Sequence, residues 1–413
     1  MKFCMNIIIT GGFEANFSVG FVKGLAANGV DLCVISCNET ASRLTTAGIP
    51  NLNLRGSLDS NRPFGIKLVN LARYYVRLIC LLFRHRGATV HFAGIFRNEL
   101  ILWDGLVLNL CFRLLAGRYL YTVHNVLPHS RAHSGFFRSV YRRIYQVPDL
   151  LLVHTRRARQ QLIEEFGVAE SRIHLTSLGL NEEMPVTGMT SLEARNRLGF
   201  DEEKQIILFF GKIDEYKGLD FLLTAFDRLA FPKTRLVIAG EYRNPAYQAQ
   251  IYLQLERMSR RKEVHIYERF VPNEEVEVFF KACDVLCLPY RHIYQSGLIF
   301  LGPRFGVPMV TTDVGSLREF VGDDLGLVSR TNDAAGIADA LGAFLAAPDR
   351  FSRAVILNHA QKYRWTNVCR ELVPLYLGRS HASQGPAAST CLSGNSQTAR
   401  RENAGSELQS QHL

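Results

Sequence analysis

The 413-residue chain has no uninterrupted run of about 18 apolar residues, so a transmembrane helix is not expected. The best candidate, Leu100 to Gly117, is broken by Asp104 and Arg113. The N-terminus lacks the small-residue cleavage site of a signal peptide. Its short apolar run after Lys2 enters Gly11-Gly12 and reads as a first buried strand. The nine cysteines are odd in number and contain no Cys-x-x-Cys pair. Cys283 and Cys287 sit around a buried strand, where cysteine acts as a small hydrophobe. Neither a structural disulfide nor a zinc site is expected, and a reducing, cytoplasmic compartment is. No Gly-x-Gly-x-x-Gly follows the first strand, which argues against a nicotinamide dehydrogenase. Asp-x-Asp and His-Glu-x-x-His are also absent. His129 and His133 lie four apart, but Pro128 and Ser130 suggest a loop, so no metal site is assigned there.

Acidic residues are scarce in the first part of the chain. Residues 1–150 hold 17 Lys/Arg against 7 Asp/Glu, a surplus equal to the whole chain's net charge of +10. From Arg62 to Arg86 there are seven cations, counting His85, and no carboxylate. Between Gly105 and Pro148 there are six arginines and again no acid. Such a basic face suits an anionic partner. The Arg62–Arg86 stretch, with Tyr74, Tyr75, Leu78, Leu81, Leu82 and Phe83 between its cations, reads as an amphipathic helix. It either packs on a sheet and solvates its arginines or docks at an anionic bilayer. Nucleic acid is not expected, because no binding motif accompanies the charge.

What is present is strand-helix alternation. Strands are expected at Asn6–Thr10, Asp31–Ser36, Ala88–Ala93, Tyr119–Val123, Asp149–Val153 and Ile173–Ser177. A second series follows at Gln205–Phe210, Arg235–Gly240, Val264–Tyr267, Asp284–Leu288, Met309–Thr312 and Leu325–Val328. Between them lie amphipathic segments such as Leu219–Leu229, and Asn273 is a candidate N-cap for a helix through Cys283. The alternation implies two α/β units with parallel sheets. The expected division is 1–184, a linker at 185–204, a second unit at 205–364, a helix at 365–378, and a disordered tail at 379–413.

Two segments carry chemistry. In the first, a strand ends at Gly211, a loop bears Lys212 and Lys217, and a helix starts at Gly218. Two ammonium groups at a strand's carboxyl end, beside a helix N-terminus, suit a diphosphate. Spacing alone leaves open two solvated loop lysines. In the second, the polar run Tyr290-Arg-His-Ile-Tyr-Gln-Ser-Gly297 opens a short helix, bent or ended by Pro303, and a strand with a Gly-containing turn follows.

Together these segments resemble the donor-binding domain of retaining glycosyltransferase family 4 (glycosyl transferases group 1), which has the GT-B fold. That fold consists of two Rossmann-like α/β/α domains facing across a cleft. The likeness runs from about Gln205 to Phe344 through "GKIDEYKGLDFLLTAF", "LVIAG", "ACDVLCLPY" and "GVPMVTTDVGSLREFV". It is weaker in the N-terminal half, at "GG", "TVHFAG" and "YTVHNVLPH". The resemblance implies retaining transfer from a nucleoside-diphosphate sugar to a hydroxyl acceptor, without a metal cofactor. The acceptor would be a saccharide, lipid-linked or membrane-borne, in surface polysaccharide synthesis. The protein would be cytoplasmic and peripheral at the inner face of the plasma membrane.

By position, Lys212 and Lys217 would hold the diphosphate beside Gly211, and His124 would lie next to the reacting sugar. Gly11 and Gly12 would admit donor and acceptor closely. Gln295, Ser296 and Gly297 would line the sugar-phosphate pocket, with Thr312 and Asp313 at its border. Ile293 and Leu301 stand where many members carry glutamates, the second of which usually grips the ribose. That departure keeps a catalytically silent binding subunit as an alternative. A sugar-nucleotide epimerase is a same-fold rival that needs a carboxylate pair not evident here.

Overall fold

The computed structural model describes residues 5–11, 15–59, 62–94, 101–127, 134–182, 184–200, 203–293 and 296–377. The tail expected from 379 onward, Gly12, Gln295, His129 and His133 lie outside these residues. The strands are β1 (Ile7–Thr10), β2 (Cys33–Ser36), β3 (Asn51–Asn53), β4 (Thr89–Phe92), β5 (Arg118–Val123), β6 (Leu150–Val153) and β7 (Ile173–Leu175). They form one sheet in the order β3-β2-β1-β4-β5-β6-β7. A second sheet has the order β10-β9-β8-β11-β12-β13. Its strands are β8 (Gln205–Phe210), β9 (Thr234–Gly240), β10 (Val264–Glu268), β11 (Val285–Leu288), β12 (Met309–Thr311) and β13 (Gly326–Val328).

Every pairing is parallel. Helices therefore cover both faces, which is why runs such as Ile7-Ile8-Ile9 and Ile206-Ile207-Leu208 are apolar without alternation and fully buried. This is the GT-B architecture.

Strand order reverses between β1 and β4 in the first sheet and between β8 and β11 in the second. At such a switch point neighbouring crossovers depart in opposite directions and leave a crevice at the strands' carboxyl ends. The loops after β8 and β11 lie at the second of these points. β3, with the sequence Asn-Leu-Asn, is absent from the sequence expectations; an edge strand this short and polar has no apolar signature.

The stretch 185–204, expected as a linker, contains a helix at Ser191–Arg197 that is fastened to the second unit. Thr190 and Glu193 form a reciprocal capping box, the Thr190 N–H donating to Glu193 at 2.7 Å and the Glu193 N–H to Thr190 Oγ1 at 3.2 Å. Buried Arg195 donates to both carboxylate oxygens of Asp284 at 2.9 and 2.7 Å, and to the Ala282 carbonyl at 3.1 Å. The expected cap Asn273 is the first residue of its helix, Asn273–Ala282, and Pro272 precedes it.

The chain returns to the first unit at its end. The helix Trp365–Arg370 packs on the helix Ala15–Ala27, and Trp365 occupies a berth made by glycines. A Cβ at Gly20 would lie 2.1 Å from Trp365 Nε1, at Gly24 2.5 Å from the Trp365 carbonyl, and at Gly179 2.2 Å from the indole. Beyond it, the Tyr376 hydroxyl meets His91 Nδ1 at 2.7 Å, and His91 Nε2 meets Thr122 Oγ1 at the same distance. The two crossings between units run side by side, with the Leu180 N–H donating to the Tyr363 carbonyl at 2.8 Å and Arg364 paired with Glu182 at 2.9 Å.

Candidate active site

A cavity of about 470 Å³ lies between the two sheet units. Phe17, Gly179 and Trp365 line it from one side, and Tyr216, Lys217, Ser296 and Gly297 from the other.

The lysine loop is shaped by its glycines. β8 ends at Gly211 (φ 92°), and a one-turn 3-10 segment, Glu215–Lys217, leads to Gly218 at φ 67°. A Cβ at Gly218 would lie 2.1 Å from the Pro289 carbonyl, so only glycine lets this loop close on the one after β11. Gly211 in turn leaves room for the Lys217 ammonium, which would stand 3.3 Å from a Cβ there.

Lys217 is only 8% exposed, with its Nζ 5.9 Å from the centre of the Tyr290 ring. Burial, and secondly the neighbouring Lys212, lower its pKa from 10.5 to about 8, with Asp214 opposing them. Lys212 is exposed. A desolvated ammonium on a cavity wall is matched to an anion that can bind it there.

The second loop is held from within. The Tyr290 hydroxyl lies 3.1 Å from Ser296 Oγ, which accepts from the Leu298 N–H at 3.3 Å. Thr312 is fully buried and donates from Oγ1 to the Tyr290 carbonyl at 2.6 Å, so it supports this loop from behind. Asp313 is exposed, paired with Arg318 at 2.8 Å, and outside the cavity lining. Pro303 lies inside the helix Leu298–Arg304, which ends one residue later. Ile293 and Leu301 both line the cavity and give it apolar wall at these two positions. Among the described residues no carboxylate lines this cavity, and no three His, Cys, Asp or Glu side chains cluster as metal ligands.

His124, at the end of β5, stands behind Phe17. Its ring meets Phe17 edge-on at 4.6 Å, and its Nε2 lies 2.8 Å from the Ala93 carbonyl. Gly11 follows β1 next to this group, with the Phe92 ring 2.3 Å from where a Cβ would be. His154, at the end of β6, is 5.4 Å from His124 and was not singled out from the sequence. Burial, and then His124, push His154 down to about 3, so it is neutral at neutral pH. Phe17 and Trp365, 5.4 Å apart, were likewise missed as cavity walls. The available signal was the pair Gly20 and Gly24, four apart on one helix face, which marks a close helix contact.

Two parallel sheets facing a cleft, with a buried lysine at one switch point, define a two-unit α/β protein with a cavity between its halves. The model for "Glycosyl transferases group 1" matches residues 191–362, and that for "Glycosyltransferase Family 4" matches residues 15–183. The chain belongs to the group 1 glycosyltransferase family.

It is similar to the D-inositol 3-phosphate glycosyltransferase of Corynebacterium aurimucosum, 26% identical over 288 residues, covering 67% of this chain and 66% of that protein. The corresponding protein of Corynebacterium urealyticum is 28% identical over 253 residues, 58% and 59% of the two chains. The chain thus spans between about half and two thirds of the length of these curated relatives. Among solved structures, sucrose-phosphate synthase from Thermosynechococcus elongatus has a TM-score of 0.67 at 18% identity, covering 91% of this chain and 98% of that one. Anabaena HepE in complex with UDP-glucose has a TM-score of 0.67 at 12% identity, covering 91% and 99%. At these identities the structures speak to the fold.

Proposed function

We propose that the protein is a glycosyltransferase that moves a sugar from a nucleoside-diphosphate donor to a hydroxyl acceptor, retaining the anomeric configuration. The observation that carries this is Lys217, a buried ammonium on the cavity wall at the β8 switch point. Its charge is costly in the free protein and is offset by a diphosphate. Lys212 adds a second positive charge from the exposed side of the same loop. Residues 205–364 act as the donor domain and residues 1–184 as the acceptor domain. Gln295, Ser296 and Gly297 border the sugar and its phosphate, with Thr312 supporting their loop from behind and Asp313 standing outside the lining. Gly11 and Gly12 let the acceptor come close.

In the reaction the bond between the anomeric carbon and the diphosphate oxygen breaks, and the acceptor oxygen bonds to the same face of that carbon. The acceptor's proton passes to the departing diphosphate. Lys217 and Lys212 stabilise the charge that develops on the leaving group, and His124 positions the reacting sugar from behind Phe17. The chain supplies this stabilisation with lysines, and the reading assigns no metal cofactor. The acceptor is a saccharide carried on a membrane lipid, as in surface polysaccharide assembly, and the protein works at the cytoplasmic face of that membrane.

Thermal shift with UDP, GDP, ADP, dTDP and their sugars tests the donor site. One nucleotide is expected to stabilise the protein selectively, and Lys217→Ala to abolish the effect. No shift with any of them would refute it. The apolar wall at Ile293 and Leu301 favours a second reading, a binding subunit without turnover. Nucleotide binding with no consumption of any nucleotide sugar would establish that alternative. Among the described residues no carboxylate pair lines the cavity, whereas an epimerase needs one.

A further inference from the structure

Three helical segments cover one face of the first sheet: Phe64–Arg84, the π-turn Trp103–Leu108 continuing into Asn109–Leu115, and Gly135–Gln146. Their inner sides are ordinary core: Tyr74, Leu78 and Leu82 on the first, Leu108 and Phe112 on the second, Ile144 on the third. The outer sides are apolar too. On the first segment Val69, Val76 and Phe83 are exposed at intervals of seven, Phe83 by 61%. Arg73, Arg77 and Arg84 run alongside, each one or four residues on from a member of that stripe. On the second segment Trp103, Val107, Leu110 and Leu114 are exposed at steps of four, three and four, Leu114 by 65%. The two segments are neighbours: Tyr75 donates to Asp104 at 2.5 Å and its ring lies 5.5 Å from Trp103.

We infer that this face docks the protein on an anionic lipid bilayer, with Trp103, Leu110, Leu114 and Phe83 in the acyl boundary and the arginines at the headgroups. Charge complementarity selects the occupant. The first and third segments carry no carboxylate, and the one on the second, Asp104, is buried against Tyr75. A second copy of the chain would bring like charges together across the same face. A nucleic acid would satisfy the arginines and leave exposed apolar side chains without any gain. An anionic bilayer surface satisfies both. The inference does not rest on the donor reading, because docking is measured without turnover.

The chain has two tryptophans, and the other, Trp365, is 3% exposed, so fluorescence changes on docking report Trp103. The full-length protein is mixed with vesicles of phosphatidylcholine alone, or with about a third phosphatidylglycerol. Blue-shifted emission, quenching by lipids brominated on their acyl chains, and co-flotation are expected with the anionic vesicles only. Trp103→Phe should keep co-flotation and lose the fluorescence signal. Leu110→Gln with Leu114→Gln should weaken partitioning by about tenfold or more. Arg73→Gln with Arg77→Gln and Arg84→Gln should weaken it by about a hundredfold at low salt. All six positions are outside the core, so each variant's melting temperature and nucleotide-induced shift should match the parent. No binding to anionic vesicles would overturn the inference. So would binding that survives either multiple substitution or escapes the brominated lipids, or a dimer that the leucine variant dissolves.

Discussion

Replacing Lys217 with Met is expected to stabilise the free protein and weaken its ligand binding together. Burial, and secondly Lys212, lower the lysine's pKa from 10.5 to about 8, which corresponds to about 3 kcal/mol of cost for keeping the charge at pH 7. Methionine is one atom shorter, keeps an unbranched apolar stem and removes the charge. For a unit of this size the gain corresponds to a rise in melting temperature of roughly 5–10 °C. Loss of a buried charge-assisted contact should weaken nucleoside-diphosphate binding by about 10- to 150-fold.

The pH dependence has a definite sign. Between pH 8 and 10.5 the unfolded chain keeps this proton while the folded protein has released it, so wild-type stability rises with pH through that window. Lys217→Met should lack the rise. Calorimetry from pH 7 to 10.5, with a nucleotide titration at pH 7, measures both effects. A lower melting temperature in the variant, or unchanged affinity, would refute the argument that this buried charge is held for an anion.

Gly20→Ala puts a methyl into the Trp365 indole and should cost roughly 1–3 kcal/mol, read as a lower denaturation midpoint, whereas Gly29→Ala has open space and tests only backbone strain. Asp284→Ala removes the carboxylate that the buried Arg195 guanidinium pairs with, leaving its carbonyl contacts, and should cost about 3 kcal/mol, seen in chemical denaturation of the second unit. His91 and His154, both lowered to about 3 mainly by burial, stay neutral in the fold while the unfolded chain protonates near 6.5. Their contribution is therefore complete above pH 6.5 and is lost as pH falls toward 3, with up to two protons in the slope of stability against pH. His154→Phe should flatten that slope by about one proton.

Most of the sheet framework was legible because parallel strands covered on both faces must be short continuous apolar runs, and twelve of them stand out between amphipathic segments. β3 was not, since an edge strand needs no apolar signature. The Ser191–Arg197 helix does carry one local signal, the Thr190-x-x-Glu193 capping box, but nothing in that pattern marks Asp284, far along the chain, as the partner of Arg195. At the site, the lysine loop was legible from charge and glycine spacing. The difference between Lys217 and Lys212, one buried and one exposed, was not, because it depends on the approach of Gly218 to Pro289. Phe17, His154 and Trp365 come together only when the chain's end returns to its first helix.

The central claim is that this cleft breaks the bond between a sugar and a nucleoside diphosphate by stabilising the departing diphosphate at Lys217. Release of nucleoside diphosphate from the nucleotide sugar that gives the largest thermal shift measures this directly. Steady release is expected with acceptor present, reduced about 100-fold or more by Lys217→Ala and unchanged by Lys233→Ala, an exposed lysine outside the cavity lining. Release that Lys217→Ala leaves intact, or binding of the nucleotide sugar with no release at all, would contradict it.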